Sequence, residues 1–91
     1  MPPRVTVRLF HELRTILGES ELKVEADSIG DLIATLISKN NSVREVIYDS
    51  KGKIRAYTTV YINNTAHNPM DFSQKLKDGD LILLVPTAAG G

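Results

Sequence analysis

The last five residues of the chain could carry chemistry that nothing else in the sequence offers. They are Thr87, Ala88, Ala89, Gly90 and Gly91. Residues this small give a core nothing to pack against, so we expect a flexible tail over residues 87–91. The six residues from Pro86 onward would reach about 20 Å when extended, at roughly 3.3–3.6 Å each. Such a slim segment could thread a narrow tunnel, and glycine lets another protein approach the Gly91 carboxylate closely.

The Gly91 carboxylate is a poor electrophile at neutral pH and must be activated before it can react, most simply as a mixed anhydride with AMP. The activated carbonyl could then accept sulfur, giving a thiocarboxylate, or a lysine amine, giving an isopeptide bond. The sequence has neither the Gly-x-x-x-x-Gly-Lys nor the Gly-x-Gly-x-x-Gly nucleotide-binding pattern. We therefore expect no bound cofactor and a separate adenylating enzyme that uses ATP.

Composition narrows the class of protein further. The chain has 91 residues, 11 Lys+Arg, 11 Asp+Glu, two His and no Cys. This length indicates one domain with little room for a deep pocket, so catalysis by the chain alone is disfavoured. The balanced charge argues against a nucleic-acid surface, and the lack of Cys excludes disulfides, a Cys-based zinc site and a thiol nucleophile. We expect no metal site, and we interpret His11 and His67 as structural or solvated.

Targeting and membrane signals are missing from the sequence. The N-terminus leads directly into a strand pattern, without the apolar stretch of a signal peptide. The longest apolar run, residues 81–85, is far too short to cross a bilayer. We expect a soluble cytoplasmic protein that binds no membrane.

Hydrophobic periodicity predicts the secondary structure that must position the tail. Alternation with a period of two predicts strands, and apolar residues at helical spacing predict helices. The predicted strands are residues 4–10, 21–25, 57–63 and 81–85, and the predicted helices are residues 11–17, 29–40 and 43–48. Ser28 is a predicted helix cap, and Asn63-Asn64 is a predicted turn because Asn tolerates positive φ. We predict irregular structure over residues 65–77, which include Pro69.

This order of elements predicts an α+β fold. One main helix lies between the second and third strands and can cover one face of a mixed sheet of four to five strands. The last strand would run parallel to the first and lie between the first and third. The arrangement is a β-grasp, or ubiquitin-like, roll, with residues 1–86 as the domain and residues 87–91 as the tail.

The last predicted strand is apolar on both faces, which indicates a partner-binding surface. If Ile82 and Leu84 face the helix, their neighbours must lie on the uncovered face of the sheet. The alternation then predicts one contiguous surface there, formed by Arg8, Phe10, Thr59, Tyr61, Leu81, Leu83 and Val85. An exposed apolar patch on a small domain commonly binds another protein. The alternative is an assignment slipped by one residue, which would place some of these side chains in the core.

Several short motifs, taken in order, resemble the molybdopterin synthase small subunit. They are Val7-Arg8-Leu9-Phe10, Leu13-Arg14 with Gly18, Asp31-Leu32, Val60-Tyr61-Ile62-Asn63, Leu76-Lys77-Asp78-Gly79-Asp80, Pro86 and Gly90-Gly91. The resemblance covers nearly the whole chain and extends to the archaeal ubiquitin-like small modifiers and, more distantly, the thiamin-pathway sulfur carrier. Two departures from the family pattern are Asn64, where glycine is common, and Thr87, where a second proline is frequent.

The resemblance implies a non-catalytic carrier subunit. An adenylating enzyme of the ubiquitin-activating type would activate Gly91 and convert it to a thiocarboxylate. The tail would then enter the large subunit of molybdopterin synthase and deliver sulfur for molybdenum cofactor biosynthesis, with Phe10 and the last strand at the docking surface. Two alternatives stay open: a protein modifier joined through Gly91 to target lysines, and a plain β-grasp interaction domain. For the plain interaction domain the terminal glycines are incidental. Two terminal glycines occur by chance in about one chain in 200.

Overall fold

The computed structural model describes residues 2–53, 58–67 and 71–86. Within them the chain forms five strands and three helices. In chain order these are β1 (Arg4–Leu9), α1 (Glu12–Leu17), β2 (Glu21–Glu25), α2 (Ile29–Lys39), α3 (Val43–Ile47), β3 (Thr58–Ile62), β4 (Thr65–His67) and β5 (Leu81–Pro86). The three predicted helices and the first, second and last predicted strands are present with bounds shifted by no more than one residue. Of the predicted third strand, Tyr57 lies outside the described residues.

The sheet is mixed, with strand order β2-β1-β5-β3-β4. β1 and β5 are parallel, whereas the β1–β2, β3–β5 and β3–β4 pairs are antiparallel. β5 therefore lies between β1 and β3, as the sequence predicts. A parallel pair needs a long crossover, and here the chain between β1 and β5 provides it, including α2.

The core lies between one face of this sheet and α2. Six inward residues of β1, β3 and β5 are at most 1% exposed: Val5, Val7, Leu9, Val60, Ile82 and Leu84. From α2 the stripe of Ile29, Leu32, Ile33 and Leu36 is equally buried. Ile37, which follows this stripe near the end of α2, is only partly buried. α1 and α3 add Leu13, Val43, Val46 and Ile47 to the same core. On the opposite face of the sheet the described side chains are exposed or half-buried, so that face is left open.

The N-terminus of α2 is held by its cap and by a neighbouring loop. Asp31 donates its backbone N–H to Ser28 Oγ at 3.2 Å, which confirms the predicted cap. The backbone carbonyl of Phe72 accepts the N–H of Gly30 at 2.9 Å. A Cβ at position 30 would come within 3.1 Å of that carbonyl oxygen, so glycine allows the close approach.

The loop that contacts α2 is ordered by Asp71. Ser73 donates both its hydroxyl, at 2.6 Å, and its backbone N–H, at 2.9 Å, to Asp71 Oδ1. These two hydrogen bonds favour the charged form and hold the pKa of Asp71 below its usual value. The resulting contribution to folding is present at neutral pH and is lost as the pH falls through that lowered pKa.

The prediction of irregular structure over residues 65–77 is wrong at its start, because β4 forms there. Asn63 and Asn64 both adopt positive φ, 49° and 74°. Ile62 pairs with Thr65, so the two asparagines form a two-residue hairpin loop. Positive φ at both central positions is the signature of a type I′ turn, whose twist aligns the next residues with the preceding strand. The turn itself was predicted, but the short strand after it was not.

The first strand also ends one residue earlier than predicted. Leu13 donates its backbone N–H to the carbonyl of Phe10 at 3.2 Å, so the chain turns at Phe10 and leaves the sheet. Phe10 follows Leu9, the last residue of β1, and is half-buried.

Asn63 connects the β3–β4 hairpin to the beginning of β5. Its Oδ1 accepts the N–H of Leu81 at 2.9 Å, and its Nδ2 donates to Asp80 Oδ1 at 2.8 Å. Asp80 also accepts the N–H of Lys77 within the turn before β5. The backbone N–H of Asp80 closes this turn by donating to the carbonyl of Lys77 at 3.0 Å.

We expect Asn63→Gly to lower the free energy of unfolding by about 1–2 kcal/mol, because it removes both side-chain hydrogen bonds and keeps the positive φ accessible. Asn64→Gly is the matched control. Within the described residues the Asn64 side chain makes no hydrogen bond, so this change should leave the free energy of unfolding unchanged. Urea denaturation of both variants measures the difference, and equal stabilities would show that the Asn63 bonds contribute nothing.

Candidate functional site

The uncovered face of the sheet brings together six of the seven residues that the sequence predicts for partner binding, and the seventh, Phe10, follows the last residue of β1 at the end of that face. We call them the open face: Arg8, Phe10, Thr59, Tyr61, Leu81, Leu83 and Val85. Arg8 is exposed and the other six are half-buried, whereas Ile82 and Leu84, between them on β5, are completely buried. The alternation of half-buried and buried side chains along β5 excludes the alternative assignment in which the strand faces are slipped by one residue. The role of these residues in binding remains a prediction.

Strand register makes the open face continuous. Leu83 pairs with Arg8 of β1 on one side and with Tyr61 of β3 on the other. Val85 pairs with Thr59, one step further along β5. Since paired residues on neighbouring strands are in side-chain contact range, these groups form a single surface across three strands. Its centre is apolar and carries one tyrosine hydroxyl.

A charged border flanks the apolar centre on the side of β2. Glu21, Lys23 and Glu25 are exposed there, and Glu21 and Glu25 pair in register with Arg8 and Arg4. Arg8 Nε lies 3.3 Å from Glu21 Oε1, with both side chains about half exposed. An ion pair this exposed contributes little to stability, about 0–1 kcal/mol. The border is therefore better suited to orienting a partner than to holding the domain together.

The apolar centre extends to the end of the sheet from which the tail continues. β1 and β5 run in the same direction, and Leu9 pairs with Leu84 near their ends. Phe10 follows at this end, and β5 continues to Pro86, the residue before the tail. Residues 87–91 lie outside the described residues, so the predicted flexibility of the tail and the chemistry at Gly91 remain predictions.

His11 lies at the same end of the sheet and has an unusual backbone conformation. Its φ is 55° and its ψ is −127°, and the hydrogen bond from Leu13 to Phe10 closes a turn around it. These angles match the first central position of a type II′ turn, which glycine normally occupies. From the sequence His11 is interpreted only as structural or solvated, since no sequence pattern marks a histidine with positive φ.

Neither a metal site nor a membrane-spanning helix is found among the described residues. Among residues 2–53, 58–67 and 71–86, no three His, Asp or Glu side chains lie close enough to share a metal ion. No helix in the same ranges is long and apolar enough to cross a membrane.

Solved structures similar to this chain include both isolated proteins and complexes. The solution structure of small archaeal modifier protein 1 from Methanosarcina acetivorans is 27% identical, with a TM-score of 0.80 over 100% of this chain and 99% of that one. The Amycolatopsis orientalis BexX/CysO complex contains a chain that is 24% identical, with a TM-score of 0.76 over 96% of this chain and 99% of that one. The Helicobacter pylori complex of molybdopterin-converting factor subunits 1 and 2 contains a chain that is 23% identical, with a TM-score of 0.58 over 97% of this chain and 99% of that one.

These similarities confirm the predicted β-grasp fold. No curated protein sequence matches the chain. The model of the ThiS family matches residues 7–91, which include all of the sheet except the first half of β1, together with α2 and the terminal glycines. The match covers almost the whole chain, and the chain therefore belongs to the ThiS family.

Proposed function

We propose that the protein is a sulfur carrier whose Gly91 carboxylate is adenylated by a partner enzyme and converted to a thiocarboxylate. The observation that carries this proposal is the continuity of the apolar open face with the end of β5, after which the sequence runs to Gly90-Gly91. The open face would dock the domain on its partner. Docking would hold the beginning of the tail in place while the terminal carboxylate enters a separate active site.

The reaction has two steps, and both use groups that the partner brings. The carboxylate of Gly91 attacks the α-phosphate of ATP, which forms the acyl-adenylate and releases pyrophosphate. A hydrosulfide then attacks the glycyl carbonyl, the bond to AMP breaks, and a proton is released as the thiocarboxylate forms. The protein contributes an accessible carboxylate and a docking surface.

A finer proposal is that the acceptor of the sulfur is a pterin precursor, with this protein as the small subunit of molybdopterin synthase. It rests on the sequence resemblance and on the fold shared with one chain of the H. pylori molybdopterin-converting factor complex. In this account the adenylating enzyme and the large subunit bind the same open face in turn. The protein needs no cofactor of its own, and ATP is used by its partner.

The second candidate function is a protein modifier, favoured by the 27% identity with small archaeal modifier protein 1 over the full length of this chain. In this case the activated Gly91 carbonyl would be attacked by a lysine amine of a target protein. Adenylation is the common first step of both functions. They differ only in the nucleophile that follows.

Reconstitution with ATP, Mg²⁺, sulfide and the adenylating enzyme of the source cells tests the proposal. Because the chain has no cysteine, a thiol-alkylating reagent should modify the protein only after sulfur has been added. We expect alkylation at Gly91 in the complete reaction and none when ATP is omitted. If the complete reaction leaves the intact mass unchanged and yields no alkylated product, the carrier proposal is wrong.

A further inference from the structure

The strained residue His11 carries an inference that rests on the proposed function and extends it. A side chain in this backbone region crowds its own peptide groups, which costs about 1–3 kcal/mol relative to an unstrained residue. Glycine would relieve the crowding. A histidine at this position therefore needs a compensating interaction.

The described part of the chain does not provide that interaction. The His11 side chain is exposed and does not cap α1. Within the described residues its imidazole makes no hydrogen bond or ion pair; only its backbone carbonyl is used, as an acceptor for Thr15. The turn could form at lower cost without the side chain.

The position of His11 indicates where the imidazole is used. It follows Phe10 of the open face, at the end of the sheet where β5 leads to the tail. Together with Phe10, Arg14 and Ile16 it lines an open cleft. A cleft lined by both an imidazole and a half-buried phenylalanine suits a protein side chain that has an apolar stem and a hydrogen-bond acceptor at its tip.

We infer that His11 is a binding residue for the adenylating enzyme that activates Gly91. Adenylation is the step shared by the carrier and the modifier functions, so a binding residue at the end of the sheet where β5 ends is useful in either case. The imidazole extends the docking surface from the open face around the end of β1. It contacts the partner and takes no part in the chemistry at Gly91.

Three variants test this inference by measuring ATP–pyrophosphate exchange with the adenylating enzyme as the carrier concentration is varied. His11→Gly should raise Tm by about 4–8 °C through relief of strain. It should also raise the KM for the carrier about fivefold to tenfold, with kcat unchanged, because one partner hydrogen bond is lost. His11→Ala keeps the strain and should raise KM equally without raising Tm. Asn64→Gly, at the opposite end of the sheet, is the control and should leave KM unchanged.

The outcomes separate this inference from the proposed function. If wild type supports exchange and both His11 variants keep the wild-type KM, His11 is not a binding residue. If His11→Gly lowers Tm, the strain argument is wrong. If wild type supports no exchange at all, the proposed function fails, and this inference fails with it.

Discussion

Removing Gly90 and Gly91 should abolish adenylation and sulfur transfer altogether, while the free energy of unfolding stays within about 0.5 kcal/mol of the wild-type value. The reacting atom is the terminal carboxylate, and the shortened chain would present that of Ala89, two residues nearer the sheet. The carboxylate would then fall short of the ATP by about 7 Å, at roughly 3.3–3.6 Å per residue. Pyrophosphate exchange and urea denaturation measure the two effects.

Adding one alanine after Gly91 is the complementary change. It keeps both glycines and displaces the carboxylate by one residue, so activity should again be lost with no change in stability. If either variant retained wild-type sulfur transfer, Gly91 would not be the reacting residue. The plain interaction domain would then be the better description.

Leu83→Asp should weaken binding of the adenylating enzyme at least 30-fold, equivalent to about 2 kcal/mol. Leu83 lies at the centre of the open face, between Arg8 and Tyr61. An aspartate there would be desolvated against an apolar partner surface. The fold should tolerate the change with a loss of about 1 kcal/mol, because the side chain faces outward and aspartate is a poor strand former.

Leu84→Ala is the matched control, one residue away on the opposite face. Leu84 is completely buried, so its truncation should cost about 2–5 kcal/mol of unfolding free energy. At temperatures where it stays folded, this variant should bind the partner normally. Isothermal titration calorimetry and thermal unfolding of the two variants should therefore give opposite patterns. A Leu83→Asp protein that is unfolded, or one that binds normally, would contradict the proposed role of the open face.

The sequence predicts the sheet well because alternation couples register to burial. In β5 both faces are apolar, so the pattern alone leaves two registers possible. The clean alternation of Val5, Val7 and Leu9 on β1, paired with β5, is consistent with one of them, and the structure buries Ile82 and Leu84 accordingly. The cap at Ser28 was predictable for a different reason, since its hydroxyl satisfies a backbone donor that every helix leaves unpaired.

The features that the sequence does not predict are those set by backbone geometry. Residues 65–67 form β4 because the turn at Asn63-Asn64 aligns them with β3, although Thr-Ala-His has no strand pattern of its own. His11 is unusual only in its φ and ψ angles, and histidine gives no sequence signal for positive φ. The chemistry at Gly91 is a third kind of feature. It depends on a carboxylate and a partner, and the fold of residues 2–53, 58–67 and 71–86 does not specify it.

The most direct test of the central claim is mass spectrometry of the protein taken from its native cells under denaturing conditions. We predict a population of free chains in which sulfur replaces one oxygen of the Gly91 carboxylate. Conjugation would be equally visible, because trypsin cuts after Lys77 and would leave residues 78–91 attached to a target lysine. Free chains with sulfur and no such remnant would support the carrier, and remnants on other proteins would establish the modifier. Chains carrying neither, in cells that contain the adenylating enzyme, would contradict the claim that Gly91 is activated.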